Sequence, residues 1–428
     1  MKKLYRANVG CWLAAAALMF LMALPAAGQD AVDPQLATLV AEAAERNPDV
    51  QAARRETAAA RSRIAPAGAL DDPMLEVGVL NVPVESLSLR TEDMTMKMIG
   101  LTQRLPYPGK RALRRELAEK EAEAAENNLQ ELVNRVRRDV KVAYFDLGLT
   151  DESLRLAESN RRVLEQFLSI AEARYGVGQS TQADVLKAQT QVSKMLEELI
   201  KLGRERPMLE AELNRAAGRS AAPRAVSPGP GRVREVSLRL DELRAIARAN
   251  RPQLHAQQRM MDRGAKALDL AQKDYYPDFD VRFSYGQRDN YQDLRREDLI
   301  SFTVAFNLPV WRESKREPRV AEAVAMRDQA STMYQARLNE LDAMLRQQVA
   351  AAEQTLKSVR LYETALLPQA RLTADASLSA YRVGRVDFFT LLDSRMTVFN
   401  AETGYAASNA AYNKALAELE FLTGAPLR

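Results

Sequence analysis

The sequence predicts a mostly α-helical protein with a small β part, built from one helix–strand–strand–long helix–helix unit that occurs twice. Three observations lead to this prediction. Landmark residues recur at an offset of just over 200 positions, two stretches with few helix-breaking residues exceed ordinary helices in length, and two pairs of segments alternate apolar with polar residues. The predicted boundaries are residues 29–218 for the first unit, 219–238 for a linker and 239–428 for the second unit.

The first 28 residues are predicted to be a secretory signal peptide that is removed. A basic start precedes an apolar run at residues 12–24, and Ala26 and Gly28 fit the −3 and −1 positions of a cleavage site. A retained membrane anchor is the alternative, which the shortness of the run disfavours. The single cysteine, Cys11, lies in this segment, so the mature chain has no thiol for a disulfide or a metal site.

The mature chain is nearly neutral, because residues 1–28 hold three of the 61 Lys and Arg and none of the 57 Asp and Glu. The resulting balance of 58 to 57 leaves no basic surface that would indicate nucleic-acid binding. The single histidine, His255, supports neither a histidine metal site nor a catalytic triad. No phosphate loop, H-E-x-x-H or G-x-S-x-G motif occurs, so we predict no enzyme, no catalytic residue and no cofactor.

The internal repeat is visible as collinear matches whose offset drifts by only a residue or two. Such matches indicate a duplicated unit. The matching segments are Asn47-Pro48 with Arg251-Pro252, Asp72-Pro73 with Tyr276-Pro277, Leu105-Pro106 with Leu308-Pro309, Lys110-Arg111 with Lys315-Arg316, and Tyr175-Gly176-Val177-Gly178 with Tyr381-Arg382-Val383-Gly384.

Each unit begins with a helix, predicted at Leu36–Ala65 and Leu240–Asp274, and continues into two strands. In the first unit the strands are predicted near Met74–Val82 and Met94–Arg104. In the second unit apolar residues alternate with polar ones along both strands, at Phe279, Val281, Phe283 and Tyr285 and at Ile300, Phe302, Val304 and Phe306.

Alternation of this length is typical of strands that cross a membrane with one face toward lipid. A hairpin at the edge of a soluble sheet gives the same pattern, but two hairpins at equivalent places favour the membrane interpretation. Tyr107 and Trp311 follow the second strand of each unit and would then lie at the membrane–water interface. Ordinary packing at a strand end is the alternative for both.

Two very long helices are predicted next, from Lys110 to about Ala173 and from Lys315 to about Ala380. At 1.5 Å per residue, about 64 residues make a helix of about 95 Å. Such a helix must pack against others along its whole length. A shorter helix returns after each, and Pro207 and Pro368 are predicted to bend the helices.

The two turn motifs are ARYGVGQSTQADVLKAQ at residues 173–189 and AYRVGRVDFFTLLDSR at residues 380–395. With the duplicated organisation, they resemble the TolC family of outer-membrane efflux proteins over essentially the whole mature chain. Two hairpins are too few to close a barrel. The resemblance implies a homotrimer in which a trimeric α-barrel is continuous with a twelve-stranded transmembrane β-barrel.

The resemblance also implies the location and the partners. The protein is expected in the outer membrane of a Gram-negative bacterium, surrounded by outer-membrane lipid, where it extends into the periplasm. A periplasmic adaptor protein and an inner-membrane efflux pump are the expected partners, and nucleic acid is not. The alternative from another class is a periplasmic helical adaptor, but an adaptor would have one helical hairpin and no duplicated strand pairs.

The turn motifs predict sharp helix reversals. Gly178 and Gly384 permit the left-handed conformation, and Ser180, Thr181 and Asp387 can cap the returning helices. A plain structural turn would explain these residues fully. By the resemblance, the turns are also hairpin tips at the periplasmic end, where the residues expected to dock the adaptor or pump are Tyr175, Val177, Gly178, Val383, Gly384 and Arg385.

The same resemblance places Asp184, Tyr381 and Asp393 where the family governs a closed entrance. Asp393 would project into the bore and form a three-fold ring of carboxylates, although a solvated helix face is the alternative for each carboxylate. Thr390 and Val386 stand where the family can have a second ring carboxylate and a gate-linking arginine. The gate network is therefore expected to differ in this chain.

Residues 77–111 are similar to the heavy-metal branch of the family, so the expected cargo of this passive duct is heavy-metal cations. A general drug, small-molecule or secretion duct of the same family is the alternative. Met94, Met96 and Met98 are predicted to share a strand face, where thioethers are soft ligands for Cu(I), although methionine is also an ordinary apolar filler. We expect no resident metal, and selection of the cation would belong to the pump.

Overall fold

The computed structural model describes residues 33–219, 224–229, 231, 233–290 and 295–427. The predicted signal peptide lies outside these residues, as does part of the predicted linker. In the first half the elements are α1 (Pro34–Arg46), α2 (Pro48–Ser62), α3 (Ile64–Gly68), β1 (Met74–Leu80), β2 (Met96–Leu105), α4 (Lys110–Gly176) and α5 (Gln182–Ala216).

The second half repeats this order of helices and strands. Its elements are α6 (Leu240–Asn250), α7 (Pro252–Lys273), β3 (Phe279–Gln287), β4 (Leu299–Phe306), a π-helical turn (Arg312–Arg316), α8 (Glu317–Leu361), a second π-helical turn (Tyr362–Leu366), α9 (Leu367–Arg382) and α10 (Phe388–Thr423). None of the helices in the described part of the chain carries the long uncharged apolar run that a bilayer-crossing helix needs.

The first helix of each unit is broken, which corrects the prediction of one continuous helix. The breaks fall at Asn47 and Arg251, directly before Pro48 and Pro252. A proline has no N–H for the preceding turn, but it fits the first position of a new helix. Asn47 also caps the new helix, because its Oδ1 accepts the N–H of Asp49 at 2.9 Å.

The long helix of the first half is confirmed, since α4 runs unbroken for 67 residues, about 100 Å at 1.5 Å per residue. Its counterpart is helical from Arg312 to Arg382 but is not a regular α-helix throughout. The segment predicted from Lys315 to Ala380 begins inside a π-helical turn and is divided by a second one at Tyr362–Leu366. That second turn directly precedes Pro368, which cannot donate the backbone hydrogen bond that a regular helix needs there.

The four strands form one antiparallel sheet in the order β1-β2-β3-β4, so β2 and β3 join the two halves. Phe283 pairs with Leu101 on one side and with Phe302 on the other, which brings the apolar faces of the strands together. This face is largely exposed in the protomer, and β1 and β4 each have a free edge. Its apolar residues are Leu75, Val77, Val79, Ile99, Leu101, Phe283, Tyr285, Ile300, Phe302, Val304 and Phe306.

The helices pack in a defined lateral order. Toward the turns, α5 packs on α4, α4 on α10, and α10 on α8 and α9. Nearer the sheet, α4 packs on α7 and α7 on α8. The outer edges of the protomer are therefore α5, with α1–α3 nearer the sheet, on one side and α8 with α9 on the other.

Ion pairs between the two halves hold the helices in this order. Arg138 of α4 lies 2.9 Å from Glu418 of α10. Arg251 and Glu131, whose side chains are each only 6% exposed, approach to 3.3 Å. A buried pair contributes little net stability but is strongly destabilising when one partner is lost, so this contact fixes α4 against the start of α7.

Candidate functional site at the two helix turns

The first turn reverses the chain between α4 and α5. Gly178 has φ of 76°, in the left-handed region. Its N–H donates to the carbonyl of Tyr175 at 3.0 Å, and Gln179 N–H donates to the carbonyl of Arg174 at 2.8 Å. These bonds satisfy the last carbonyls of α4, so the predicted role of Gly178 in the turn is confirmed.

The second turn, between α9 and α10, has the same backbone solution. Gly384 has φ of 73°. Its N–H donates to the carbonyl of Tyr381 at 3.1 Å, and Arg385 N–H donates to the carbonyl of Ala380 at 2.9 Å. Built on either glycine, a Cβ would meet no atom within 4 Å. The positive φ alone therefore requires glycine at both turns.

The returning helix α5 begins with a reciprocal capping box. Thr181 Oγ1 accepts the N–H of Asp184 at 3.3 Å, and Asp184 Oδ2 accepts the N–H of Thr181 at 3.1 Å. The hydroxyls of Ser180 and Thr181 also donate to Asp184 Oδ2, at 3.0 and 2.8 Å. Partial burial would raise the pKa of Asp184, but these hydrogen bonds outweigh it and hold the pKa below its usual value.

Helix α10 begins differently, with Asp387 as a simple N-cap. Its Oδ1 accepts the N–H of Thr390 at 2.8 Å. Hydrogen bonds from Thr390 lower the pKa of Asp387. Thr390 occupies the third position of α10, where α5 has Asp184, so the second turn has no carboxylate to close a reciprocal box.

Tyr381 lies between the two turns and is 4% exposed. The guanidinium carbon of Arg174 lies 4.4 Å from its ring centre, and Phe388 meets the ring edge-on at 5.8 Å. Arg174 also donates from Nη2 to the carbonyl of Arg382 at 3.0 Å. Arg174 belongs to the first half and Tyr381 to the second, so this clamp ties the two turns together.

The hydroxyl of Tyr381 has no hydrogen-bond partner among the described residues. Each hydrogen bond that the Asp184 side chain makes within the described chain stays in its own turn. Within the described protomer Asp184 and Tyr381 are therefore not joined, although the resemblance implied that both govern one entrance. The role of Arg174 was not predicted from the sequence, because it depends on a contact between segments that are distant in the chain.

Asp393 is exposed in the second turn of α10, and Val386 is half-buried against the apolar cluster beneath the turns. At the outermost surface several apolar and basic side chains face solvent. They are Tyr175, Val177, Leu186, Arg382, Val383, Arg385 and Phe389. Apolar side chains grouped at one end of a protomer are typical of an interaction surface.

The methionine prediction needs correction. Met94 lies in the turn before β2, not in the strand, so it does not share a strand face with Met96 and Met98. Met96 and Met98 lie on the face of the sheet opposite the apolar one. On that polar face, Arg282 Nη2 is 3.6 Å from the sulfur of Met98. Among the described residues no group of three His, Cys, Asp or Glu side chains is placed to hold a metal ion.

Comparisons with known proteins agree on one family. A model of the family described as "Outer membrane efflux protein" matches residues 39–219 and 243–425, one range in each half. The cobalt-zinc-cadmium resistance protein CzcC of Cupriavidus metallidurans is 22% identical, over 76% of this chain and 77% of that protein.

Solved structures share the fold at low identity. The outer membrane protein VceC of Vibrio cholerae superposes with a TM-score of 0.76 at 18% identity, covering 92% of this chain and 96% of that one. The MtrE outer membrane channel of Neisseria gonorrhoeae gives 0.76 at 16% identity, covering 92% and 89%. CusC gives 0.75 at 15% identity, covering 92% and 93%.

Proposed function

This chain belongs to the outer membrane efflux protein family, and from that premise we propose that three copies form a passive export duct for heavy-metal cations. The family is one of outer-membrane channels and not of enzymes. In this proposal an inner-membrane pump supplies the cations and a periplasmic adaptor joins the pump to the duct.

The open, one-sidedly apolar sheet is the observation that carries the proposal. Val77, Ile300 and Phe302 leave 76%, 69% and 68% of their surface exposed. Apolar surface gains about 25 cal/mol per Å² on leaving water, so a continuous face of this kind requires a cover. Lipid acyl chains would cover the outer face, and the same strands from other copies would pair the free edges of β1 and β4.

Three copies would supply twelve strands, enough to close a barrel around a bore. The helical edges support the same assembly. On α5, Ile200 is 75% exposed, and on α9, Leu372 is 70% exposed. These edges lie on opposite sides of the protomer, so α5 of one copy would pack against α8 and α9 of the next.

The polar face of the sheet would line the bore. It carries Glu76, Thr102 and Arg282, and Arg282 pairs with Glu76 at 2.5 Å. At the other end, the exposed tips would dock the adaptor, and Asp393 would ring the entrance. Arg282 beside Met98 argues against a soft-metal site on this face, because a guanidinium repels a bound cation.

The cargo is proposed from the relative CzcC, whose name describes resistance to cobalt, zinc and cadmium. The test is deletion of the gene in its native host, with complementation by the wild type. We expect lower tolerance to these three cations on deletion and recovery on complementation. Lost tolerance to organic toxicants alone would favour the general small-molecule duct, and unchanged tolerance to both would overturn the proposed function.

A further inference from the structure

The two free edges of the sheet carry opposite charges at the same end, where the strands meet the helices. Asp71 and Asp72 precede β1, separated from it by Pro73, and Arg312 and Lys315 follow β4. All four side chains are exposed, and none forms an ion pair within the described protomer. This inference rests on the proposed trimer, in which β4 of one copy pairs with β1 of the next.

The register within one protomer sets the geometry. Phe306 pairs with Phe279, and Phe279 pairs with Leu105. Extending the pairing of Met74 with Thr102 by three residues brings Asp71 opposite Leu105. A line drawn along the hydrogen bonds across the sheet therefore joins Phe306 to Asp71 of the same chain.

Closing a barrel offsets this line by a predictable amount. Four strands spaced about 4.8 Å apart span about 19 Å, so a tilt of about 35–45° shifts the next protomer by about 13–19 Å along the strands. At about 3.3 Å per residue this is about four to six residues. Phe306 then faces residue 75 or 77 of the partner, since an odd shift would place an apolar side chain opposite a bore-facing one.

A shift of the partner in the opposite direction, which would place Phe306 against residues before position 71, is excluded. In that register β1 and β4 would pair at one residue pair at most. In the allowed registers, Asp72 lies about three or five residues beyond Phe306 along the seam, next to residues 307–311 and the π-helical turn at Arg312–Arg316. The carboxylates thus come beside the basic segment that follows β4. The backbone there is anchored, because the carbonyl of Asp71 accepts a hydrogen bond from Gln103 Nε2 at 2.8 Å.

We propose that Asp71 and Asp72 form ion pairs with Arg312 and Lys315 of the partner subunit, and that these pairs set the register of β1 against β4 at each seam of the trimer. Alternation of faces excludes a slip by one residue but permits a slip by two. A slip by two moves the charges about 7 Å apart along the strand. Of the two allowed registers, the ion pairs therefore favour the one that brings the carboxylates closer to Arg312 and Lys315, and they disfavour further slips that the apolar pattern alone permits.

Disulfide trapping tests the register directly. The natural cysteine, Cys11, lies in the predicted signal peptide, so paired cysteines can be introduced without background in the mature chain. Asp72→Cys is combined with single cysteines at residues 306 to 315, and trimers are resolved without reductant. We expect inter-subunit cross-linking to peak between residues 309 and 312, and a peak outside residues 308–313 would overturn the inference.

Charge reversal tests the ion pairs. Asp71→Arg with Asp72→Arg should lower the heat resistance of the detergent-solubilised trimer, as should Arg312→Asp with Lys315→Asp, and combining all four should restore it. Exposed ion pairs shift an equilibrium by up to about fivefold each. Asp269→Arg is the matched control, since it is exposed on α7, which lies between α4 and α8 and away from both seams.

The outcomes separate two kinds of failure. A wild-type protein that is monomeric in detergent would refute the proposed trimeric duct. A wild-type trimer whose reversed variants resist heat equally, or are not restored by the combined reversal, would refute the ion pairs and leave the duct intact.

Discussion

The two helix turns have the same backbone conformation but differ in the side chains that stabilise them. Gly178 and Gly384 have nearly the same φ, 76° and 73°, and close equivalent hydrogen bonds. The first turn satisfies its own polar groups through the Asp184 box. The second turn has only Asp387 as a cap and depends on Arg174 from the other half to cover Tyr381. The two copies therefore keep the same turn backbone. The first turn is stabilised by its own side chains, and the second needs a side chain from the first half.

The largest effect is expected from replacing the turn glycines. Gly178→Ala and Gly384→Ala should each destabilise the protein by about 1–2 kcal/mol, because a left-handed conformation strains any side chain. The two costs should be equal, since neither site has a neighbour within 4 Å. Gly176→Ala is the control, because Gly176 is helical and equally open. Denaturant unfolding measures all three, and unequal costs would break the equivalence of the two backbones.

A similar or smaller effect should follow loss of the clamp between the turns. Arg174→Ala removes a cation–π contact and a hydrogen bond to the Arg382 carbonyl, together about 1–2 kcal/mol. Single-channel recording should show a more frequently open channel, with partial recovery in Arg174→Lys. Arg162→Ala is the control, because Arg162 is exposed on the same helix and bonds within it. An unchanged closed state in Arg174→Ala would show that the second tip is independent.

Asp184→Asn should cost about 0.3–1 kcal/mol through loss of charge at the start of α5. Because the folded pKa of Asp184 is lowered, its contribution is present above the unfolded value of about 3.9 and is lost as pH falls through the folded pKa. Stability curves of the wild type and the variant should therefore converge below about pH 4. If Asp184 ties one helix pair to the next in the assembled protein, the variant should also show higher conductance, from a loosened closed state. If the stability curves of the wild type and the variant stay parallel at acid pH, the charge of Asp184 does not stabilise the capping box.

Tyr381→Phe should change stability least among the buried positions. The ring and its contacts with Arg174 and Phe388 persist, and the lost hydroxyl has no partner among the described residues. Removing an unsatisfied buried polar group is neutral or slightly stabilising. Thermal unfolding and channel closure should both match the wild type. A clear loss of closure would mean that the assembled protein gives this hydroxyl a partner.

Asp393→Ala should leave stability and trimer assembly unchanged, because the side chain is exposed. If three copies ring the entrance, the variant should lose part of the cation preference and part of the block by multivalent cations in planar bilayers. Unchanged selectivity in an intact trimer would place Asp393 on the solvated outer face and remove it from the entrance.

Some features of the fold could be predicted from the local sequence pattern. Alternation located β3 and β4, and the glycine motifs located both turns, because each depends on residues adjacent in the chain. The sequence pattern does not show the helix breaks at Asn47 and Arg251, although Pro48 and Pro252 are landmarks of the repeat. A proline that matches in two copies should also be taken as a helix boundary.

Other features needed the tertiary structure. The π-helical turn before Pro368 lies where the Tyr362 hydroxyl contacts Gly404 of α10, a contact that no local window contains. Arg174 bonds to a carbonyl 208 positions away. The alternating pattern extends two residues before the start of β2, to Met94, whereas the structure has a loop there in which Asn81 and Leu87 take positive φ.

The cross-half ion pairs also impose an order on biogenesis. Arg138 and Lys141 of α4 meet Glu418 and Glu420 of α10, their partners 280 and 279 positions later. During export, α4 therefore emerges long before the carboxylates that neutralise its inner face. Contacts of such sequence separation slow folding and leave apolar and charged surface uncovered meanwhile. We therefore expect α10 to complete the fold late, after the turn between α4 and α5 has formed.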